Sequence, residues 1–246
     1  MAQTGSVQSV ERVFLIIEEM CKEKESTVTG LAGVTGLNKT TVFRFLNTLV
    51  GLGYATKNEQ SETYSLTLKF LRISSSLLAD YDIKQKMKPS LSLLSKECGE
   101  TVHLVERNGV RVVYIDKFES DTNSVRMVSR IGMSLDIFTT AVGKAMLSTL
   151  PDNEIEKLWQ SHVHNKKTEY TITALEDFHN EIEEIRKCGY AVDNEENELG
   201  VRCVAVAIPD QYGKYRYAAS VSAPINRMDD KTVQKTAEKL LALNKF

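Results

Sequence analysis

The stretch Thr29-Gly30-Leu31-Ala32-Gly33-Val34-Thr35-Gly36-Leu37-Asn38-Lys39-Thr40-Thr41-Val42-Phe43-Arg44-Phe45-Leu46-Asn47-Thr48-Leu49-Val50-Gly51-Leu52-Gly53-Tyr54 decides how the N-terminal part of the chain folds. It reads as two short helices joined by a tight turn. At roughly 100° per residue, Val42, Phe45, Leu46, Leu49 and Leu52 fall on one side of the second helix and pack inward. The opposite side carries Thr40, Arg44, Asn47 and Thr48, with Phe43 at the boundary. These residue types read base edges and phosphates: guanidinium to guanine, Asn to adenine, Thr to either, an aromatic against the thymine methyl. Gly36 stands where the first helix must stop, and Asn38 is placed to cap the second. Lys39 lies in the first helical turn, where the helix dipole disfavours a cation and an incoming phosphate would relieve the conflict.

Two amphipathic helices and a glycine turn also occur in proteins that touch no nucleic acid. The next segment of the chain favours DNA. Tyr54-Ala55-Thr56 and Thr63-Tyr64-Ser65-Leu66 read as two short strands with Lys57 to Glu62 as the tip between them, which makes the module a winged helix-turn-helix. The candidate DNA contacts are Asn38, Lys39, Thr40, Thr41, Phe43, Arg44, Asn47, Thr48 and, on the wing, Lys57. Charge argues the other way. Residues 1–66 hold six Lys or Arg (12, 22, 24, 39, 44, 57) against seven Glu (11, 18, 19, 23, 25, 59, 62), a balance of −1. DNA affinity must then come from a few placed contacts, doubled by dimerisation, rather than from a basic surface. Glu59 and Glu62 also make an acidic wing, poorly suited to gripping phosphate.

With 246 residues, 42% of them hydrophobic, the chain supports one large or two moderate domains. A net charge of −2 gives no global attraction to nucleic acid, membrane or acidic substrate. Cysteines at 21, 98, 188 and 203 show no C-x-x-C pairing, and His162-x-His164 reads as a solvated loop, so no metal and no cofactor are implied. No apolar run approaches the roughly 18 residues of a membrane span and the N-terminus has no export pattern, so a cytoplasmic protein with reduced thiols is expected.

Ser9 can cap a first helix whose apolar face is Val10, Val13, Phe14, Ile17, Met20 and Cys21; Leu15 and Ile16 fall off it, through plain exposure or as a dimer contact. Residues 67–81 form a helix apolar on two faces (Leu68, Leu71, Leu78; Phe70, Ile73, Leu77, Tyr81), expected to be buried from two directions as a linker. Asp82 then caps a segment in which Pro89 should bring a kink or a fresh helix start near Lys88. Strands are expected over Thr101–Glu106, Val110–Ile115, Val125–Ile131, Tyr190–Val192, Val201–Ile208 and Tyr215–Ser222, the first two turning at Asn108-Gly109. Helices fill Thr139–Leu150, Asp152–Trp159, a segment opened by the capping box Thr173-Ala174-Leu175-Glu176 and ended near Gly189, and Asp230–Leu243. This mixture defines an α+β fold around a largely antiparallel sheet. The predicted domains are 1–66 (DNA binding), 67–81 (linker helix) and 82–246, a second domain whose effector-binding role is what the resemblance described below implies.

Ala141-Val142-Gly143-Lys144-Ala145 is no P-loop, because Phe138 stands where the first glycine belongs and Ala145 follows the lysine. There remains a Thr139-Thr140 cap with free N–H groups behind it, suited to a carboxylate or phosphate and equally to nothing but a capped helix. Ser220 and Ser222 point to one face of a strand. Cys203 lies on the neighbouring strand and Asp193 at another strand end, but no histidine is placed against Cys203 for thiol catalysis. A binding pocket fits better than a reactive one, with a buried structural thiol as the plainer role for Cys203.

Four segments in order carry a specific resemblance: Gly36 to Leu46, Gly99-Glu100-Thr101-Val102-His103-Leu104, Thr140 to Ala145, and Gly189-Tyr190-Ala191-Val192-Asp193 with Gly200-Val201-Arg202-Cys203-Val204-Ala205. Over essentially its whole length the chain resembles the IclR family of bacterial transcriptional regulators. The resemblance implies a winged helix-turn-helix, a linker helix and an effector domain similar to GAF and PAS sensors, in dimers or tetramers. It places an effector pocket at Met127, Leu135, Ala141, Val142, Asp193, Cys203, Ser220 and Ser222. Ser65 to Phe70 and Arg126 to Gly132 look most like regulators of the 2-keto-3-deoxygluconate type. The expected function is a ligand-responsive repressor that is not an enzyme, binding double-stranded operator DNA and a small carboxylate such as 2-keto-3-deoxygluconate. An α+β enzyme acting on a small carboxylate and a winged-helix protein-interaction module are the rivals.

Overall fold

The computed structural model describes residues 7–79, 82–120 and 127–245, and the chain divides into two units, residues 1–81 and 82–246. In the first unit, helices α1 (Gln8–Met20), α2 (Val28–Thr35) and α3 (Lys39–Gly51) precede a two-stranded antiparallel wing, β1 (Ala55–Asn58) and β2 (Thr63–Leu66), and helix α4 (Phe70–Ala79). Thr27 caps α2 through the Gly30 N–H. Gly36 ends α2 at φ 68°, a backbone conformation that a side chain would strain. Asn38 caps α3 by accepting from the Thr41 N–H at 2.8 Å. The core joins Ile16, Met20, Leu31, Val42, Leu46 and Tyr64.

Several sequence expectations are corrected here. Ser9 lies inside α1, whose N-cap Val7 makes no side-chain cap, and Ile16 is buried with Met20 while Val10, Phe14 and Cys21 are exposed. The inward stripe of α1 is therefore rotated toward Ile16, because α2 and β2 set which side is covered. Leu52 falls beyond the last turn of α3 and is exposed. Lys57 and Asn58 belong to β1 rather than to the tip. Helix α4 starts at Phe70, not Thr67: the Thr67 hydroxyl donates to Gly53 O and Lys69 Nζ to Leu52 O, so these residues close the end of α3 instead. Leu68, Leu71 and Ile73 are exposed rather than buried from two directions. Positions 80 and 81, with Tyr81, lie outside the described residues.

The second unit is built on a six-stranded antiparallel sheet of order β5-β4-β3-β8-β7-β6: β3 (Thr101–Asn108), β4 (Arg111–Phe118), β5 (Ser134–Asp136), β6 (Ala191–Asn194), β7 (Val201–Ile208) and β8 (Tyr217–Pro224). Helices α5 (Asp82–Cys98) and α9 (Asp230–Leu241) pack on the sheet, as does α6 (Ala141–Leu147), which also contacts α8 (Leu175–Cys188); α7 (Asp152–Gln160) lies against α8. Val105, Ala191, Ala205, Ala207 and Ala218 form the floor under α6, α7 and α8. Alanines dominate that floor because α6 comes very close. A Cβ on Gly143 would stand 1.9 Å from Ile137 O, so only glycine fits. Helix α5 runs through Pro89 without a break. The expected strand Val125–Ile131 does not form over its described part, residues 127–131; Ser134–Asp136 pairs with β4 instead, and Val125 and Arg126 lie outside the described residues. The hairpin turn is Gly109-Val110, with Asn108 already paired to Arg111. Ala174 occupies the cap of α8 without a side-chain bond, so the expected capping box is not made.

Gly143→Ala should destabilise the protein by about 3 kcal/mol or more, since backbone cannot move aside as a side chain can. Gly33→Ala, at a helical site with open space around it, should stabilise it by about 0.5–1 kcal/mol. Urea melts of both variants check the pair.

Candidate functional sites: the α3 face and a pocket on the sheet

On α3 the side chains of Lys39, Thr40, Phe43, Arg44, Asn47 and Thr48 are exposed, Thr41 is half-buried, and Asn38 stands exposed at the cap. The Thr48 hydroxyl donates to Arg44 O, which leaves its methyl and an oxygen lone pair outward. Helix α3 contains no acidic residue and two cations, while Lys22, paired with Glu19, lines a separate hollow with Glu23 and Glu25 near the start of α2. The unfavourable charge count thus does not describe the α3 surface. A groove between α1 and α3, lined by Ser9, Arg12, Arg44, Asn47 and Thr48, adds Arg12 to this face. Periodicity cannot show Arg12, because its place depends on how α1 crosses α3. Lys57 Nζ is bound to Glu59 at 2.8 Å, so the wing lysine is already engaged.

In the second unit all eight residues that the resemblance supplied, Met127, Leu135, Ala141, Val142, Asp193, Cys203, Ser220 and Ser222, line one pocket. Strand register explains the convergence: Asp193 pairs with Cys203, Cys203 with Ser222 and Ser220 with His103, so alternate residues of β6, β7, β8 and β3 meet on one face. His103, Tyr114, Ser129, Met133, Thr140 and Asn197 are further lining residues. Tyr114 reaches the face through a β-bulge at Leu104/Val105, which puts both Tyr114 and Lys117 on the pocket side of β4.

Beneath the pocket, Lys144 is fully buried, with Nζ 2.7 Å from Glu181 and 2.5 Å from Glu196. Burial would lower its pKa, but the two carboxylates outweigh this and hold it above the ordinary lysine value. Burial pushes Glu196 up to about 7 and Asp193 up to about 6, against the pull of Lys144 in both cases. Asp193 Oδ1 also accepts the N–H groups of Glu196 (2.8 Å) and Asn197 (3.3 Å). Thr140 caps α6, accepting from the Gly143 N–H at 3.3 Å, whereas the Thr139 hydroxyl sits with Lys167 and Asn197 and takes no part in the cap. His162 and His164 are not a solvated loop: His162 Nε2 meets Asp136 at 2.6 Å and His164 stacks on Trp159 at 3.7 Å. Among the described residues no His, Cys, Asp and Glu cluster could hold a metal ion.

A histidine does share the pocket with Cys203, which the sequence alone does not reveal, but the pair is not poised for thiol chemistry. His103 is bound to Ser129 and Ser222. Burial raises the Cys203 thiol well above its ordinary pKa, helped by the Asp193 charge, and lowers His103 to about 3. Thiolate and imidazolium are both disfavoured, which leaves binding without reaction.

Fold and site together define a winged helix-turn-helix unit and a ligand-pocket unit on one chain. Residues 9–59 match the IclR helix-turn-helix domain and residues 75–245 the family described as bacterial transcriptional regulator IclR C-terminal. The HTH-type transcriptional regulator KdgR of Escherichia coli (strain K12) is 35% identical over 233 residues, 95% of this chain and 88% of that protein. Its namesake from Dickeya chrysanthemi is 35% identical over 228 residues, 93% of this chain and 74% of that protein. The crystal structure of the Thermotoga maritima IclR superposes with a TM-score of 0.80 at 31% identity, covering 95% of this chain and 94% of that one. The chain belongs to the IclR family of bacterial transcriptional regulators and is not an enzyme. Among the described residues no helix is long and apolar enough to cross a membrane.

Asp193 and Glu196 hold protons more tightly folded than unfolded. Their contribution to stability is complete below about pH 4 and is lost as the pH rises through about 6 to 7. Glu196→Gln removes one of the two, so urea stability between pH 4 and 8 should fall less steeply with rising pH than in the wild type. An unchanged slope would refute the assignment.

Proposed function

We propose that this regulator is a cytoplasmic repressor that binds an inverted-repeat operator as a dimer through α3, and that a small 2-keto sugar acid, of the 2-keto-3-deoxygluconate kind, changes its affinity for DNA. The single observation that carries the effector reading is the convergence of Asp193, Cys203, Ser220 and Ser222, from three strands, on one pocket beside the first turn of α6. The N–H groups of Ala141 and Val142 have no intrahelical acceptor and suit the ligand's carboxylate. The Ser220 and Ser222 hydroxyls and Asp193 suit its hydroxyls, because a carboxylate accepts from hydroxyls but repels an acid group. Met127 and Leu135 supply apolar wall. Two relatives at 35% identity carry the name KdgR, the regulator type that Ser65 to Phe70 and Arg126 to Gly132 resemble.

The dimer reading draws on apolar side chains left uncovered in the first unit: Val10, Phe14 and Leu15 on α1, and Leu68, Leu71 and Ile73 at the start of α4. Apolar side chains left exposed on these two helices are what a second copy of the chain would cover. Two copies also double a DNA interface that has few cations in each.

The DNA reading is tested by salt-dependent mobility shifts on promoter fragments carrying the inverted repeat. Arg44→Ala should cost roughly 1–3 kcal/mol and relax sequence preference, while Lys39→Ala should weaken all sequences alike and flatten the salt dependence. Unchanged affinity in both variants would leave α3 without a role in DNA recognition.

The effector reading is tested by calorimetric titration with 2-keto-3-deoxygluconate. The Ser220→Ala/Ser222→Ala double variant should bind the acid at least about tenfold more weakly and still shift operator DNA in its absence. Equal affinity for the acid in wild type and variant would remove the serines from the site.

A further inference from the structure

The pocket extends beyond the residues that the effector reading uses. His103 is only 2% exposed, yet both ring nitrogens face hydroxyls: Nε2 lies 2.7 Å from Ser129 Oγ and Nδ1 3.4 Å from Ser222 Oγ. The Tyr114 ring packs on the imidazole with centroids 4.6 Å apart. Burial, reinforced by the charge of Lys117, lowers the imidazole to about 3, so it is neutral at working pH, with one N–H donor and one lone pair. Lys117 is itself engaged, with Nζ bound to Met127 O at 2.8 Å, Ser129 O at 2.9 Å and Glu119 at 2.8 Å. Among the described residues, this end of the pocket therefore offers an acid group no available charge. A chain of hydroxyl, imidazole and hydroxyl can reverse its polarity, since every member can donate or accept. That property matches the hydroxyls of a polyol, which also do both.

The two ends are far apart. Asp193 on β6 and His103 on β3 are separated by three strand spacings, about 14 Å at roughly 4.8 Å each. A ligand with several hydroxyls along its chain can serve both ends, whereas a three-carbon keto acid with its carboxylate on the α6 N–H groups has no hydroxyl to offer His103.

We propose that His103, Ser129 and Tyr114 form a second subsite, which binds the distal hydroxyls of a polyhydroxylated acid and so sets the chain length of the effector. It deepens the proposed effector function and rests on it. The neutral imidazole discriminates by hydrogen bonding alone. A ligand that ends in a methyl group would leave buried donors and acceptors unpaired, and site polar groups left unpaired reject a ligand strongly.

The test titrates 2-keto-3-deoxygluconate and pyruvate, which carries the same keto acid head without the hydroxyl chain, into the full-length protein by calorimetry. His103→Phe fills much of the same space without hydrogen bonds, His103→Gln restores a donor and an acceptor, and Ser129→Ala alters a half-buried residue that the fold can spare. Near-ultraviolet circular dichroism of Trp159, the only tryptophan, monitors folding. In the wild type the six-carbon acid should bind at least about tenfold more tightly than pyruvate. His103→Phe and Ser129→Ala should erase most of that difference, with pyruvate affinity unchanged and His103→Gln close to wild type. If the His103→Phe variant is disturbed in its fold, the Ser129→Ala result decides. Equal losses for both acids, or no loss for the longer one, would overturn the subsite while leaving the effector pocket in place. Failure of 2-keto-3-deoxygluconate to bind the wild type would overturn the effector reading itself, and the subsite with it.

Discussion

The ammonium group of Lys144 holds the second unit's site together. It is buried on α6 and bound to Glu181 on α8 and to Glu196 in the loop after β6, so one charge ties two helices and a loop to one another. Removing it would leave the buried Glu196 without its cation beside a half-buried Glu181, a larger cost than losing an exposed pair. Lys144 follows Gly143, whose missing side chain lets α6 lie against the Ile137 backbone while the helix packs on β7 and β8. The run Gly143-Lys144, which resembles the end of a phosphate loop, is thus explained by packing and charge pairing with no phosphate involved.

The same cation shapes the pocket above it. Glu196 is drawn under Asp193, whose Oδ1 is occupied by the N–H groups of Glu196 and Asn197. The loop and the pocket carboxyl therefore position each other, and Asp193 has one oxygen, Oδ2, left for a ligand. Burial is why Asp193 and Glu196 hold protons unusually tightly despite the lysine beside them, and for Glu196 the charges of Asp193 and Glu181 add to it. Farther along the sheet the polar groups are neutral: His103, Ser220 and Ser222. Charge is concentrated at one end and reversible hydrogen bonding at the other, a division that fits recognition of a ligand with unlike ends and fits no step of bond making.

How much of this is legible in the sequence depends on the range of the interactions involved. Asn38, Gly36 and the Val42, Leu46, Leu49 stripe act within one or two helical turns, and the structure has them in those roles. Ser220 and Ser222 share a face because alternation along a strand is local. His103 escapes a local reading because its place beside Ser220 and Ser222 depends on pairing β3 with β8, more than a hundred residues away. Tyr114 escapes it because a bulge shifts which residues of β4 face the pocket, and nothing in local sequence marks the bulge. Ile16 reads as outward and the linker residues Leu68, Leu71 and Ile73 as inward for one reason. Helical periodicity shows that a face is apolar, whereas burial depends on what covers it, and within the first unit the described residues leave these linker side chains exposed.

Charge economy on α3 bears on how such a regulator can be switched. With Lys39 and Arg44 as its only cations, one copy of α3 docked on DNA as proposed would make few phosphate contacts, and the salt-dependent part of its affinity would be small. In the proposed dimer, useful affinity exists only when both copies of α3 meet the same face of the DNA, about one helical turn or a multiple apart. Affinity then depends on the spacing of two helices more than on the chemistry of either. A ligand bound in the second unit need not touch a single DNA contact. It has only to favour a dimer geometry in which the two helices no longer match the repeat, and a difference of about 1–3 kcal/mol between the two geometries changes occupancy roughly five- to 150-fold. A strongly basic module would resist this control, because each half would stay bound through nonspecific phosphate contacts after the spacing had been lost. The weak charge of the N-terminal unit, which first counts against DNA binding, is in this light what makes the binding responsive.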